Sequence, residues 1–281
     1  MTRNKQAILD YYQYAEKDYQ WIWHLDAQMA MHYGYWDEKT SGLEAALRRE
    51  NEVLAKRAGI KKTDVILDAG CGVGGSSLFL AATFGCRVIG ITLSEHQVET
   101  ARHNARKMHL EKQVTFKAED FTATSFPDNT FDVVWAIESV CHALDKNDFI
   151  KEAYRILKPG GRLILADGFA AKEEYSPNEA RLMRLWLQGW GVESLATIQQ
   201  FVDGLRLHGF ADCHAEDVTA RVMPSSVRLY RYSFPGYVVD FFLRLVRLRN
   251  TTAHRNVVAA RYQYISLRKR LWAYHIVLAV K

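Results

Sequence analysis

The sequence predicts an α/β fold built on a seven-stranded, mostly parallel sheet, and three observations point there. Apolar runs at 65–67, 87–92, 114–116, 131–137 and 162–167 alternate with stretches of helical length. Parallel strands are joined in this way, because each crossover needs a connection as long as a helix. The first run ends in Asp68 and opens into glycines at 70, 72, 74 and 75, with a helix start near Ser76. Finally, 281 residues, 48% of them hydrophobic, suffice to bury the core of one enlarged domain.

From the N-terminus, residues 4–24 place Ile8, Tyr11, Tyr12, Ala15, Tyr19 and Ile22 largely at steps of three and four, the mark of a one-sided helix. Met31 to Trp36 is aromatic and breaks at Gly34, and residues 40–58 predict a second helix with Leu43, Ala46, Leu47 and Leu54 inward. After the five strands, 178–190 reads as helix with Leu182, Leu185, Trp186 and Trp190 on one side. Thr197 and Gln200 then have the spacing of a capping box. Residues 211–219 predict a sixth strand and 274–280 a seventh, antiparallel one, with an inserted helical cap from Pro224 to Leu271 interrupted at Pro235-Gly236. Within the cap, 237–248 is apolar nearly all round, so burial is expected. Asp240, Arg244 and Arg247 share its polar face in the favourable acid-to-base order. The chain thus divides into a helical lid (1–60), a sheet core (61–168) and a cap with the last strands (169–281).

The glycine stretch carries the chemistry. Glycine serves where the backbone turns tightly and a ligand must approach the main chain without a Cβ between them. A helix starting there offers backbone N–H groups to an anion. By spacing alone the loop suits a nicotinamide as well as a sulfonium cofactor.

Asp68-x-Gly70-x-Gly72-x-Gly74 after an apolar strand resembles the cofactor loop of class I S-adenosylmethionine (SAM) methyltransferases. The resemblance extends through Thr92, Ser94 and Gln97, Glu119-Asp120-Phe121, Ile137-Glu138-Ser139 and Leu157-Lys158-Pro159-Gly160-Gly161, roughly 100 residues. It implies a Rossmann-like sheet and bound SAM. It also implies a methyl group moved by in-line displacement to an acceptor held about 3 Å away, the protein supplying alignment and exclusion of water. Asp68, Gly70, Gly72 and Gly74 would hold the methionine end. Many relatives place an acid after the second strand for the ribose, whereas Gly90-Ile91-Thr92 stands here, so Thr92 and Gln97 would take that part. Asp120 suits the adenine amino group, Phe121 its face, and Ile137 the reacting centre.

Two further segments resemble particular branches. His32-Tyr33-Gly34-Tyr35-Trp36 is similar to a segment of small-molecule methyltransferases that folds over the cofactor with an aromatic hydroxyl at the methionine end, which would be Tyr33. Glu138-x-x-Cys141-His142-Ala143 resembles sterol C-methyltransferases, and the branch also includes tocopherol and sugar methyltransferases. His142, as an imidazole near its neutral pKa, would accept the acceptor's proton, with Glu138 orienting it or taking a proton itself. As plain structure, His142 would cap the loop and Asp120 a helix.

Composition narrows the partners. No apolar run approaches the ~20 residues that span a bilayer, and residues 1–10 are polar, without the core of a signal peptide. Cys71, Cys86, Cys141 and Cys213 form no Cys-x-x-Cys pair or zinc spacing, so reduced thiols, a cytoplasmic protein and no metal are expected. The net charge of +5 hides an asymmetry: residues 201–281 hold thirteen Lys/Arg and five Asp/Glu. That patch suits an anionic membrane surface or an acidic substrate. A nucleic-acid acceptor is disfavoured, because Ile137-Glu138-Ser139 stands where a base-methylating Asn-Pro-Pro-Tyr motif would. The aromatic lid and cap favour a bulky lipophilic acceptor (isoprenoid, sterol-like or aromatic). The alternative is O- or N-methylation of an amine or sugar-bearing product, and homo-oligomers are compatible with either.

Overall fold

The computed structural model describes residues 29–281 apart from 248, together with Leu9. Of the helix expected over 4–24, only Leu9 is among the described residues. Helix α1 (Leu43–Ala58) precedes β1 (Val65–Ala69), α2 (Gly75–Phe84), β2 (Arg87–Thr92), α3 (Glu95–Lys107), β3 (Val114–Ala118) and β4 (Phe131–Ile137). There follow a 3-10 turn (Val140–His142), α4 (Lys146–Ile156), β5 (Leu157–Ala170), α5 (Pro177–Leu187), α6 (Ile198–Leu207), β6 (Ala211–Asp217), α7 (Thr219–Leu245), α8 (Thr251–Arg268) and β7 (Trp272–Val280).

The strands form one sheet in the order β3-β2-β1-β4-β5-β7-β6. Strands β1 to β5 are parallel, and β7 runs antiparallel to both β5 and β6. The central strands are buried on both faces, because successive side chains point to opposite sides. Ile66, Trp135 and Ile164 enter one apolar core, and Leu67, Val134 and Leu163 the other. Between β1 and β4 the strand order reverses, so the loops leaving their carboxyl ends diverge and leave a crevice.

Local signals account for most element ends. Ser94 caps α3 by accepting from the Gln97 N–H, Asp145 caps α4 by accepting from Asn147, and Thr197 and Gln200 form the expected reciprocal box at α6. A second box, Ser176 with Glu179 and Pro177 in the first turn, starts α5.

Three expectations are corrected. First, β5 begins at Leu157 instead of Arg162, because Leu157 pairs with Phe131 ahead of a register shift. Second, α7 starts at Thr219 and passes through Pro224 and Pro235 without interruption. A proline inside a helix removes one N–H and crowds the preceding turn. Here tertiary contact holds the helix together: α7 lies along α8, and the Tyr230 and Tyr264 rings meet at 4.6 Å. The chain turns later, at Arg247 (φ +58°), and Asn250 caps α8 by accepting from the Ala253 N–H. Third, Asp240 does not pair along its own helix. It is buried (2% exposed) and faces Arg249 at 3.0 Å and His254 at 2.6 Å, while Arg244 and Arg247 point to solvent.

Candidate active site

The carboxyl ends of β1, β2, β3 and β4 open into one cavity of about 310 Å³. Asp68, Gly70 and Gly72 reach it from β1, Thr92 and Gln97 from β2 and α3, Asp120 and Phe121 from beyond β3, and Ile137, Glu138 and His142 from β4 and its turn. All ten were singled out in the sequence for a site. Gly74 and Tyr33 were too, and neither lines the cavity.

The glycine loop is shaped by close approach. Gly70 has φ +93°, and a Cβ there would lie 2.3 Å from the Cβ of Ser139, which crosses over the loop and donates to the Ala69 carbonyl at 2.6 Å. Gly74, also at φ +93°, lies below the loop as the cap of α2. Its place for a Cβ is 2.8 Å from the Phe116 ring, so it packs the loop against β3. Gly75 and Ser76, the first residues of α2, line the cavity and present a helix N-terminus to it. Beneath them, burial raises Asp68 to about 6, offset in part by the Ser77 hydroxyl, which donates to it at 2.6 Å.

The remaining cofactor candidates are set by local bonds. Thr92 donates to the Gln97 side-chain oxygen at 2.6 Å, which fixes the orientation of the Gln97 amide. Asp120 accepts from the backbone and hydroxyl of Thr122, which stiffens its turn. Phe121 stands edge-on to Phe149 at 5.5 Å, leaving a fixed apolar wall beside Asp120. The cavity thus offers a helix N-terminus to a carboxylate, side-chain polar groups to hydroxyls, an acid to an amino group and an apolar wall to a flat ring. Among the described residues, no group of three or more His, Cys, Asp or Glu side chains is arranged to hold a metal ion.

Glu138 is bent into the site. It has φ +48°, an uncommon conformation for a residue with a Cβ, and it ends β4 while its N–H still donates to the Ala166 carbonyl. Its carboxyl accepts from the Tyr33 N–H at 2.7 Å and meets the Tyr274 hydroxyl at 2.9 Å. That same hydroxyl lies 2.9 Å from Glu50, which in turn faces His32 at 2.5 Å. Tyr274 has one proton and can donate to one carboxylate only. The second 2.9 Å contact therefore needs a proton on a carboxyl, and Glu138 is the one placed to hold it. Burial, then the neighbouring Glu50, pushes Glu138 well above the usual carboxylate range. Glu138 and His32 both line the cavity, and Glu50 and Tyr274 connect them from behind.

Tyr33 is the clearest departure from expectation. Its ring packs among Trp190, Trp272 and Tyr274, with centroids about 6 Å away, and its hydroxyl donates to Gln263. A buried phenol settles where its ring is covered and its O–H has a partner; Trp190 and β7 cover the ring, and α8 supplies the partner. The segment nevertheless covers the site: Met29, Ala30, Met31 and His32 line the cavity, and the Tyr33 backbone bonds Glu138 on one side and Ser225 on the other.

His142 lies at the cavity with its Nδ1 3.3 Å from the Gly191 carbonyl, an acceptor-only group, which assigns the proton to Nδ1 and the lone pair to Nε2. Burial lowers its pKa to about 4, below the near-neutral value expected from residue type, so it is an uncharged base at physiological pH. Its loop is fixed by Lys146, whose ammonium donates to the carbonyls of Cys141, Ala143 and Ser194, and by Asp167, which accepts from the Cys141 N–H. Sequence reasoning did not single out His32, Glu50, Lys146 or Tyr274. Only His32, in the aromatic motif, carried a signal.

Comparison with known proteins follows the same lines. Residues 67–165 match the family model described as a methyltransferase domain. The 27-O-demethylrifamycin SV methyltransferase of Amycolatopsis mediterranei is 37% identical over 195 residues, covering 69% of this chain and 71% of that protein. A sterol 24-C-methyltransferase of Eremothecium gossypii is 36% identical over 174 residues, covering 61% of this chain and 47% of that one. The chain thus spans about seven-tenths of the first relative and about half of the second. Among solved structures, the [4+2]-cyclase SpnF superposes with a TM-score of 0.78 at 25% identity, over 98% of this chain and 94% of that one.

Proposed function

The chain belongs to the family of SAM-dependent methyltransferases, and we propose that it methylates a small, bulky, lipophilic acceptor of isoprenoid, sterol-like or aromatic character. One observation carries this reading: a single cavity joins a glycine loop and helix N-terminus to an uncharged histidine and a carboxyl that burial keeps neutral. When bound, SAM would supply an electrophilic sulfonium methyl, which passes in line to the acceptor's nucleophilic atom with S-adenosylhomocysteine as the leaving group.

In this reading Asp68, Gly70 and Gly72 hold the methionine end, and Thr92 with Gln97 the ribose. Asp120 and Phe121 take the adenine, and Ile137 walls the reacting centre. Residues 61–168 are the cofactor half and 169–281 the acceptor half with the last strands of the sheet, and residues 1–60 are the lid. His142 accepts the acceptor's proton at Nε2. With a pKa of about 4 it is a weak base, suited to a proton that leaves as the new bond forms. Glu138, held neutral by burial, orients the acceptor by hydrogen bond. The lipophilic acceptor is supported by the name of one relative, a sterol 24-C-methyltransferase.

Oxygen is the second candidate for the methylated atom, favoured by the O-methylation in the name of the first relative. Among the described residues no helix is long and apolar enough to cross a membrane. Since a lipophilic acceptor partitions into bilayers, we also propose peripheral membrane contact through the basic C-terminal hairpin.

Radiolabelled SAM incubated with panels of isoprenoid, sterol, aromatic and aminosugar acceptors tests the reading. Label is expected in an organic extract, on an acceptor of the first three classes. Label only in water-soluble amines or sugars would overturn the lipophilic assignment.

A further inference from the structure

The tip of the α7–α8 hairpin is the most apolar exposed surface among the described residues. Val238, Val239, Phe241, Phe242, Leu245 and Val246 are each between 52% and 70% exposed. They recur at steps of three and four along α7, so they form one ridge, while Ser233 and Asp240 on the opposite side are 2% exposed. The sequence alone suggested a buried helix here, and nothing in the described chain covers it. A ridge of this size on a water-facing helix marks a contact surface.

Charge decides what the surface meets. Residues 219–270 contain eleven Lys/Arg and one acid, Asp240. That acid is buried and engaged by Arg249 and His254, so it offers nothing at the surface. Arg231 stands exposed on α7 about two turns before the ridge, and Arg244 and Arg247 are exposed at its C-terminal end. A second copy of the chain docking ridge to ridge would bring two sets of arginines together with no exposed hairpin acid to neutralise them. An anionic lipid surface satisfies both features: it takes phenylalanine and aliphatic side chains into its interface and pairs the arginines with headgroup phosphates.

We propose that the α7 ridge, centred on Phe241 and Phe242 and rimmed by Arg231, Arg244 and Arg247, is a docking surface for anionic membranes. The proposal deepens the reading above, resting on it only for the idea that the acceptor is lipophilic. Docking brings the chain to the phase in which such an acceptor dissolves.

The test is co-sedimentation of the full chain with vesicles of phosphatidylcholine alone and of phosphatidylcholine mixed with phosphatidylglycerol. The wild type is expected to bind the mixed vesicles at least about tenfold more tightly, with binding weakened by salt. Phe241→Asp with Phe242→Asp should lower that affinity about tenfold or more, and Arg244→Gln or Arg247→Gln about fivefold each. S-adenosylhomocysteine (SAH) binding by calorimetry should stay at the wild-type value in all of them, which shows the variants folded. No binding of the wild type to anionic vesicles, or undiminished binding by the double variant, would overturn the proposal. So would light scattering that finds a dimer dissolved by the double variant, since a second copy would then cover the ridge. Loss of SAH binding in the wild type would strike the methyltransferase reading and leave the vesicle result standing.

Discussion

The cofactor edge of the sheet and the C-terminal hairpin are built from similar amounts of chain by opposite rules. At the edge, each side chain is placed by its own strand end: Asp68 by β1, Thr92 by β2, Asp120 by β3 and Glu138 by β4. The hairpin is placed by contacts across the molecule. Tyr33 bonds Gln263, Ser225 bonds the Tyr33 backbone, and Asp240 turns to α8 instead of its own helix neighbours. Chemistry fixed by local turns is robust to what surrounds it, whereas chemistry fixed by packing depends on the whole fold. Glu138 stands between the two, local in its backbone and remote in its partners Tyr33 and Tyr274.

Variants can break this contrast or sharpen it. The largest effect is expected at the edge. Gly70→Val must fit a branched side chain at φ +93° against Ser139, so calorimetry should find SAH affinity reduced more than about 100-fold. Unchanged affinity would mean that the loop does not hold the cofactor. Next comes His142→Ala, for which methyl transfer to the acceptor found by the label screen should fall about 100-fold while SAH affinity holds. Near-normal turnover would reduce His142 to a packing residue.

The buried node should respond in stability more than in binding. Tyr274→Phe removes the hydroxyl between Glu50 and Glu138 and leaves a buried carboxyl oxygen without its partner, at a cost of about 1–3 kcal/mol in urea unfolding. Stability unchanged by this substitution would mean that the hydroxyl does not bridge the two carboxyls. The smallest effect is a pH dependence at Asp167, which burial raises to about 6. The folded chain holds that proton to a higher pH than the unfolded one, whose ordinary value is 3.8. Its contribution is therefore full below pH 4 and is lost as pH rises through 6. Asp167→Asn should gain roughly 1–2 kcal/mol at pH 7 relative to pH 4. His142 acts with the opposite sign, losing stability as pH falls from 6.5 towards 4, so the comparison is best made in a single variant against wild type.

The same contrast explains what could be read from the chain alone. The strands from Val65 to Ile137, the glycine loop and ten residues that line the cavity were legible, because each is announced by neighbours within a few positions. The node was not, since Glu50 and Tyr274 stand 224 positions apart and Tyr33 lies 105 from Glu138. Tyr33 has the residue type for a cofactor contact, and its direction was decided by the aromatic cluster of Trp190, Trp272 and Tyr274. In α7, Pro235 signalled a break that packing against α8 overrode, and an apolar run signalled burial where six large side chains lie exposed. His142 was placed by motif, but its depressed pKa follows from a burial that no local pattern records.

The most direct measurement is isothermal titration of SAH into the wild type and into Asp68→Ala. One saturable site per chain is expected in the wild type, with the heat abolished in the variant and far-UV circular dichroism unchanged. Absence of heat in the wild type alongside tight uptake of a nicotinamide dinucleotide, or equal binding by Asp68→Ala, would contradict a sulfonium cofactor seated at this edge.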